Sequence, residues 1–179
     1  MSINDNGIME ALKENPQNGF RMLMAKYQES VYWHIRRLVV SHDDAQDASQ
    51  ETFVRIYRSF GNYRGDCSLR SWIYRIATNE ALRIISKRRQ EVVSIESETT
   101  GVNLIQGDNY IDFDDKVAVK LQKAILLLPP KQQLAFNLRY YDELSFDEIA
   151  RIADSTPSSI KASYHVAKEK IVKYMNSND

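Results

Sequence analysis

The sequence predicts an all-α protein: two small helical domains joined by an acidic linker, the C-terminal one a helix-turn-helix. Three observations lead there. Apolar residues recur at steps of three and four through most of the chain, with no sustained strand-like alternation. Glycine and proline are scarce, 6 and 4 in 179 residues, so long loops should be few. Charge is segregated: the net of zero resolves into −2 over residues 1–19, +6 over 20–90, −6 over 91–118 and +2 over 119–179. A neutral total argues at first against nucleic acid, but a basic block, an acidic strip and a mildly basic block suit separate faces for separate partners.

Residues 1–19 read as an N-terminal extension. Phe20, Leu23, Met24, Tyr27, Val31, Ile35 and Leu38 then mark one face of a long helix. Ser41 or Asp43 can cap the next helix, with Asp43 and Asp44 near its positive end. That helix runs to about residue 60 and turns Ala45, Ala48, Thr52, Val54, Ile56 and Phe60 inward. A turn-rich break covers 61–66. Ser68 caps a third helix reaching Arg89, with Leu69, Trp72, Ile73, Ile76, Ala77, Glu80 and Ile84 a turn apart. Together 20–90 form the first domain. Residues 91–115 carry Ser, Glu, Thr, Gly, Asn and Asp without a sustained period, and read as a flexible acidic linker.

The second domain, 116–179, opens with Val117, Leu121, Ala124, Ile125 and Leu128 on a helix that Pro129 and Pro130 stop. A fifth helix over 131–141 buries Leu134, Leu138 and Tyr141. Ser145 with Glu148 three residues on makes a capping box, and Phe146, Ile149, Ala150 and Ala153 form the stripe behind it. A short turn, 154–157, leads to a last helix, 158–175, burying Ile160, Tyr164, Ala167 and Ile171.

Two short helices across such a turn make a helix-turn-helix pattern. Asp154 stands where a left-handed backbone usually demands glycine, a conformation Asp tolerates better than most residues. Pro157 pre-sets entry to the second helix. That helix presents Ser158, Ser159, Lys161, Ala162, His165 and Lys168 outward, where short polar side chains can reach base edges or phosphates. A helical hairpin whose outer face is merely solvated has the same pattern. The third helix carries Arg75, Arg83, Lys87, Arg88 and Arg89 with Tyr63, Trp72, Tyr74 and Asn79 interleaved. Cations neutralise phosphates and aromatics stack on unpaired bases, a combination suited to melted DNA. A core tryptophan and a favourably charged helix end would look alike. On the second helix Asp43, Asp44, Asp47, Gln50 and Glu51 make an acidic face, for a basic protein partner or for solvent.

Several of these stretches resemble the extracytoplasmic-function (ECF) sigma factors of bacterial RNA polymerase. Residues 44–53, Asp-Ala-Gln-Asp-Ala-Ser-Gln-Glu-Thr-Phe, resemble the family's D-A-x-D-x-x-Q-E-x-F segment. The resemblance implies that Asp44, Asp47, Gln50 and Glu51 dock on the clamp helices of the largest subunit of core polymerase. Residues 71–79, Ser-Trp-Ile-Tyr-Arg-Ile-Ala-Thr-Asn, are similar to W-L-Y-R-I-A-x-N, the helix that opens and holds the −10 element. Tyr63, Trp72, Tyr74, Arg75, Asn79, Arg83, Arg88 and Arg89 are the −10 candidates, and 65–70 lies where the family captures a flipped base. Residues 128–133 and 144–150 resemble L-P-x-x-x-R/Q and L-S-x-x-E-I-A of the −35-reading domain. The −35 candidates are Ser158, Ser159, Lys161, Ala162, His165 and Lys168. Ser163 and Val166 stand where two arginines are frequent, which implies weaker or altered −35 recognition. An anti-sigma factor is the usual inhibitory partner. The linker's acidity fits mimicry of nucleic acid in a basic polymerase channel.

Other chemistry is not expected. Lone Cys67 can make no internal disulfide, which points to a reducing compartment. No secretory leader pattern opens the chain, and the longest apolar run, 124–128, is too short for a bilayer. A cytoplasmic protein without membrane insertion is expected. His34, His42 and His165 lie far apart, so no metal is expected. No cofactor or catalytic constellation is foreseen. The rival readings are an autonomous helix-turn-helix regulator, expected as a dimer on paired half-sites, and a helical adaptor that binds only proteins.

Overall fold

The computed structural model describes residues 2–93 and 114–177. Among them the chain forms α1 (Asp5–Glu14), α2 (Pro16–Val39), α3 (His42–Ser59), a 3-10 turn (Phe60–Asn62), α4 (Leu69–Val93), α5 (Lys116–Leu126), α6 (Pro130–Tyr140), α7 (Phe146–Ala153) and α8 (Pro157–Met175), with no strand. The all-helical expectation holds.

The N-terminal extension contains a helix that the sequence reading left out. Asn4 caps α1 by accepting the Gly7 amide, and Ile8 and Leu12, one turn apart, bury against α2. The contact is close: a Cβ on Gly19 would sit 2.4 Å from the Leu12 backbone nitrogen, so only glycine lets α1 lie there. Along α2, Leu23, Tyr27, Val31, Ile35 and Leu38 of the expected stripe are buried, and Phe20 and Met24 are half-buried. Val40 then turns the chain at φ 66°, costly for a β-branched residue. Its side chain is buried, and Ser41 caps α3 by accepting the Asp44 amide.

On α3, Ala45, Ala48, Thr52, Phe53 and Ile56 face inward. Val54, expected among them, is 41% exposed. At about 100° per residue it points roughly 160° away from both Thr52 and Ile56, and neighbouring Phe53 takes its place. Ser68 caps α4 as expected, accepting the Ser71 amide at 3.1 Å. The helix runs to Val93, past the expected end at 89. It packs on α2, α3 and α7. The acidic linker expected over 91–115 falls largely on 94–113, outside the described residues. Residues 91–93 end α4, and Asp115 caps α5 through two amides.

In the C-terminal half, Ala124, Ile125, Leu128, Phe136, Ala167 and Ile171 form a small core. Val117, expected to open the α5 stripe, is 66% exposed in the first turn. Pro130 begins α6 at its first position, where a missing amide costs nothing. Tyr141, expected buried, is only half-buried; Phe136 and Asn137 are buried instead.

The two helical groups are not held by a linker alone. α4 packs on α7 and α2 on α6. One buried apolar cluster runs from Ile8 through Ile73 to Leu134, Leu144, Ile149 and Ile160.

The interior is not purely apolar. His34, wholly buried on α2, pairs with the Thr78 hydroxyl at 2.8 Å. Burial, with Arg37 nearby, pushes its pKa down to about 3. The folded chain therefore keeps His34 neutral at pH values where an unfolded histidine, with a pKa near 6.5, takes a proton. Stability from this site is full above 6.5 and is lost as pH falls toward 3. We expect the wild-type melting temperature to fall between pH 7 and pH 5, and to fall less in His34→Gln. Parallel pH profiles in thermal unfolding would remove His34 as the cause.

Candidate nucleic-acid interface

The helix-turn-helix forms from local signals. The Ser145 side chain accepts the Glu148 amide, and the Glu148 carboxylate accepts the Ser145 amide at 3.0 Å, closing the expected capping box. Asp154 ends α7 in the left-handed region at φ 51°, ψ 54°, as the sequence reading anticipated. The Asp154 and Ser155 amides both donate to the Ala150 carbonyl. Thr156 caps α8 by accepting the Ser159 amide, with Pro157 at the first position. Ile160 and Ala167 fix the inner face. Ser158, Lys161, Ala162, His165 and Lys168 are exposed on the outer face, spread over about the first three turns of one helix. Ser159 is half-buried, and its hydroxyl accepts the Lys131 ammonium at 2.7 Å.

The basic face of α4 is more divided. Trp72 is half-buried between Phe60 and Tyr63, with ring centroids 6.4 and 5.2 Å away. The Tyr63 hydroxyl donates to the Cys67 carbonyl at 2.5 Å, folding the loop back on itself. Arg75 and Asn79 follow at one-turn spacing and are exposed, as is Arg89. Tyr63, Trp72, Arg75 and Asn79 thus share one side of the loop and helix.

Of the other −10 candidates, Tyr74 is buried, and Arg83 and Arg88 are paired within the molecule. Tyr74 is 2% exposed, its ring against His34 and its hydroxyl donating to Asp142 on the far half at 2.8 Å. It is buried because position 74 shares a face with Ser71, Ala77 and Thr78, which are buried too. Arg83 is bonded twice to Glu80, at 3.1 and 2.9 Å. The Glu80 side chain is 3% exposed and also holds Arg55 of α3 at 2.5 Å, so Arg83 helps neutralise a buried carboxylate. Arg88 pairs with Asp44.

That last pair also divides the acidic face. Asp44 is turned toward α4, whereas Asp47 and Gln50 are exposed, and Glu51 makes a half-exposed pair with Arg55. Val54 and Tyr57, 41% and 55% exposed, continue the line of Asp47 and Gln50 at helical spacing. The free face of α3 is therefore acidic at one end and apolar at the other, a pattern that the expectation of a buried Val54 had hidden. Among the described residues no three of His, Cys, Asp or Glu converge as metal ligands, and no helix is long and apolar enough to cross a membrane.

Between the two reading elements lies an open cleft of about 780 Å³. Tyr63, Arg64, Trp72 and Arg75 line one wall; Asp147, Arg151 and Asp154 line the other.

The sigma-70 region 2 family matches residues 23–91, and the sigma-70 region 4 family matches residues 118–171. Among curated proteins the chain is similar to the RNA polymerase sigma-H factor of Pseudomonas aeruginosa, 28% identical over 94% of this chain and 92% of the relative. It is likewise similar to the ECF RNA polymerase sigma-E factor of Escherichia coli K12, 29% identical over 94% and 93%. In fold it is similar to the sigma factor RpoE solved with the anti-sigma factor NepR from Bartonella quintana: TM-score 0.72, 20% identity, 89% of this chain and 98% of that one. A second likeness is CnrH in complex with the cytosolic domain of CnrY, with TM-score 0.71 and 16% identity, covering 96% of each chain.

The left-handed cap yields a direct test. Asp154→Gly removes the steric cost of that backbone without touching an exposed reading residue, and should raise stability by about 0.5–1 kcal/mol. Asp154→Val should lower it by about 1–2 kcal/mol. Equal denaturant midpoints for the two variants would mean that the turn has rearranged.

Proposed function

The chain belongs to the sigma-70 family, in its extracytoplasmic-function group, and from that premise we propose how its surfaces divide the work of a bacterial transcription initiation factor. The protein binds core RNA polymerase and directs it to promoters by recognising the −10 and −35 elements and melting the first. The polymerase supplies the catalysis, and this chain acts in the cytoplasm as a binding factor rather than an enzyme.

Residues 20–90 are the region 2-like unit, 116–179 the region 4-like unit, and the stretch between them is the connector. The observation that carries the reading is one chain holding two exposed reading surfaces of different chemistry. Trp72, Tyr63, Arg75 and Asn79 combine ring faces, a cation and an amide, which suits bases leaving a duplex. Ser158, Lys161, Ala162, His165 and Lys168 stand at the start of α8, a helix that fits an intact major groove. Arg89 adds a phosphate contact beyond the first set. Ser159 orients Lys131 toward the same groove.

Core polymerase docks on the exposed line of α3. Asp47, Gln50 and Glu51 meet basic groups, and Val54 and Tyr57 supply the apolar area that a stable protein contact needs. Asp44 supports this face from behind by holding Arg88. An anti-sigma factor is the proposed inhibitory partner; one solved structure of similar fold is a sigma factor in complex with an anti-sigma factor.

Two outcomes are expected. Wild-type protein should co-elute with bacterial core polymerase on a sizing column, and an Asp47→Arg/Glu51→Arg variant should not, with its helix content intact. Separately, Lys168→Ala should weaken binding to a −35 duplex across all sequences and reduce the salt dependence by about one phosphate contact. Unchanged salt dependence would remove Lys168 from the groove.

A further inference from the structure

The exposed line of α4 continues past Asn79, and it carries an apolar residue there. At about 100° per residue, Arg75, Asn79, Leu82 and Ser86 fall within about 60° of one another around the helix axis, so they share one face. All four are exposed, Leu82 by 40%. Arg89, exposed as well, follows about one turn beyond Ser86. The other aliphatic residues of this stretch face the core: Ile84 and Ile85 are half-buried and pack against it. Among the described side chains of α4, Leu82 is the one large apolar residue that is exposed.

A single exposed leucine is ordinary on a protein surface. This one stands in a polar and basic row that faces nucleic acid, and there its chemistry is restrictive. Leucine neither neutralises a phosphate nor hydrogen-bonds a base edge, so its gain comes from removing apolar surface from water. Against a donor or acceptor it would strip water and leave the polar group unsatisfied. Base-pair edges in the major groove present donors and acceptors, and the C5 methyl of thymine is the apolar exception. Position along the helix selects the part of the DNA. Tyr63 and Trp72 offer rings for unpaired bases, and Asn79 stands at the margin where bases leave the duplex. Leu82 lies about one turn past Asn79 on the side away from Trp72, where the DNA is still paired. Three residues advance the helix about 4.5 Å, close to the roughly 3.4 Å between stacked bases. Leu82 therefore meets a base next to the one that Asn79 reaches.

We propose that Leu82 is a specificity residue of the −10 contact: it packs on the C5 methyl of a thymine in the paired DNA that flanks the melted segment. The proposal rests on the initiation-factor reading and adds to it a preference for thymine that neither charge nor hydrogen bonding supplies. Arg75 and Arg89, on either side along the line, hold the backbone and carry no sequence information. Leu82 contributes little to affinity for DNA in general and discriminates at one position.

The experiment uses the full chain bound to bacterial core polymerase. A fork-junction DNA library, randomised over the −10 region and its paired flank, is selected for binding. Each thymine of the selected sequence is then replaced in turn by deoxyuridine, which lacks only the methyl group. With the wild type, one replacement in the paired flank should weaken binding about fourfold, the worth of one buried methyl group. Leu82→Ala and Leu82→Gln should bind the thymine DNA more weakly by a similar factor. Both should bind thymine and deoxyuridine alike at that position, with responses at other thymines unchanged. Arg89→Ala should instead weaken both DNAs equally and lower the salt dependence, as loss of a phosphate contact does. Co-elution with core polymerase checks that each variant is folded and assembled. A flank selected without thymine, a methyl effect confined to the single strand, or one that survives both Leu82 variants overturns the proposal. Those results would leave the initiation-factor reading standing, since polymerase and DNA are still bound. A wild-type chain that never binds core polymerase overturns that reading, and the assignment of Leu82 with it.

Discussion

Ile73, Ala77 and Ala81 lie at zero exposure along α4, where α2 and α3 close over the helix, and Leu69 and Tyr74 extend that contact toward α7. A helix packed from several sides has little surface left. Over residues 71–81 of α4 what stays exposed is Arg75 and Asn79, beside the half-buried Trp72, so this part of the −10 surface is what packing spared. Small alanines let the neighbouring helices approach closely, and a larger side chain at 77 or 81 would push α2 or α3 away. Displacing either would also move the Tyr63 loop, because Trp72 is wedged between Phe60 and Tyr63.

Among the polar groups buried within this arrangement, three serve different boundaries. His34 with Thr78 ties α2 to α4 as a neutral pair. Glu80 ties α4 to α3 by taking both Arg55 and Arg83. Asp142 ties the two halves through Tyr74. Glu80 is satisfied at both oxygens and His34 at one ring nitrogen, and the two specify how α2, α3 and α4 meet. Asp142 has one oxygen bonded to Tyr74 and the other without a hydrogen bond, with Arg37 at 3.6 Å. Interiors tolerate such groups only when their partners are positioned.

The neutral total charge follows from the same accounting of partners. Part of the excess of positive charge over 20–90 is met by carboxylates from outside that stretch: Lys26 by Asp5, Arg37 by Asp142 and Arg70 by Glu148. What remains for nucleic acid is a smaller set of cations beside aromatic rings. Such a surface gains from stacking as well as from phosphate neutralisation, which favours unpaired strands over generic duplex.

The helices of 20–90 and the helix-turn-helix were legible because their signals are local. A stripe such as Leu23, Tyr27, Val31 and Ile35, a capping box at Ser145 and Glu148, or a left-handed Asp154 depends on residues a few positions apart. The sequence by itself therefore determined the fold class, the motif order and the exposed start of α8. It could not assign Val54, Tyr74, Arg83 or Arg88, since each is read correctly only once its neighbour is known. Val54 looked buried because apolar type was taken for direction; Tyr74 looked exposed because its partner, Asp142, lies 68 positions on. Helix α1 escaped notice because a short amphipathic turn has little signal until Gly19 admits it against α2. Tertiary structure alone decided which cations are paired within the molecule, and how the two reading surfaces stand across the cleft between them. Those outcomes rest on contacts between distant segments, and burial and charge pairing are properties of where a residue ends up rather than of what it is.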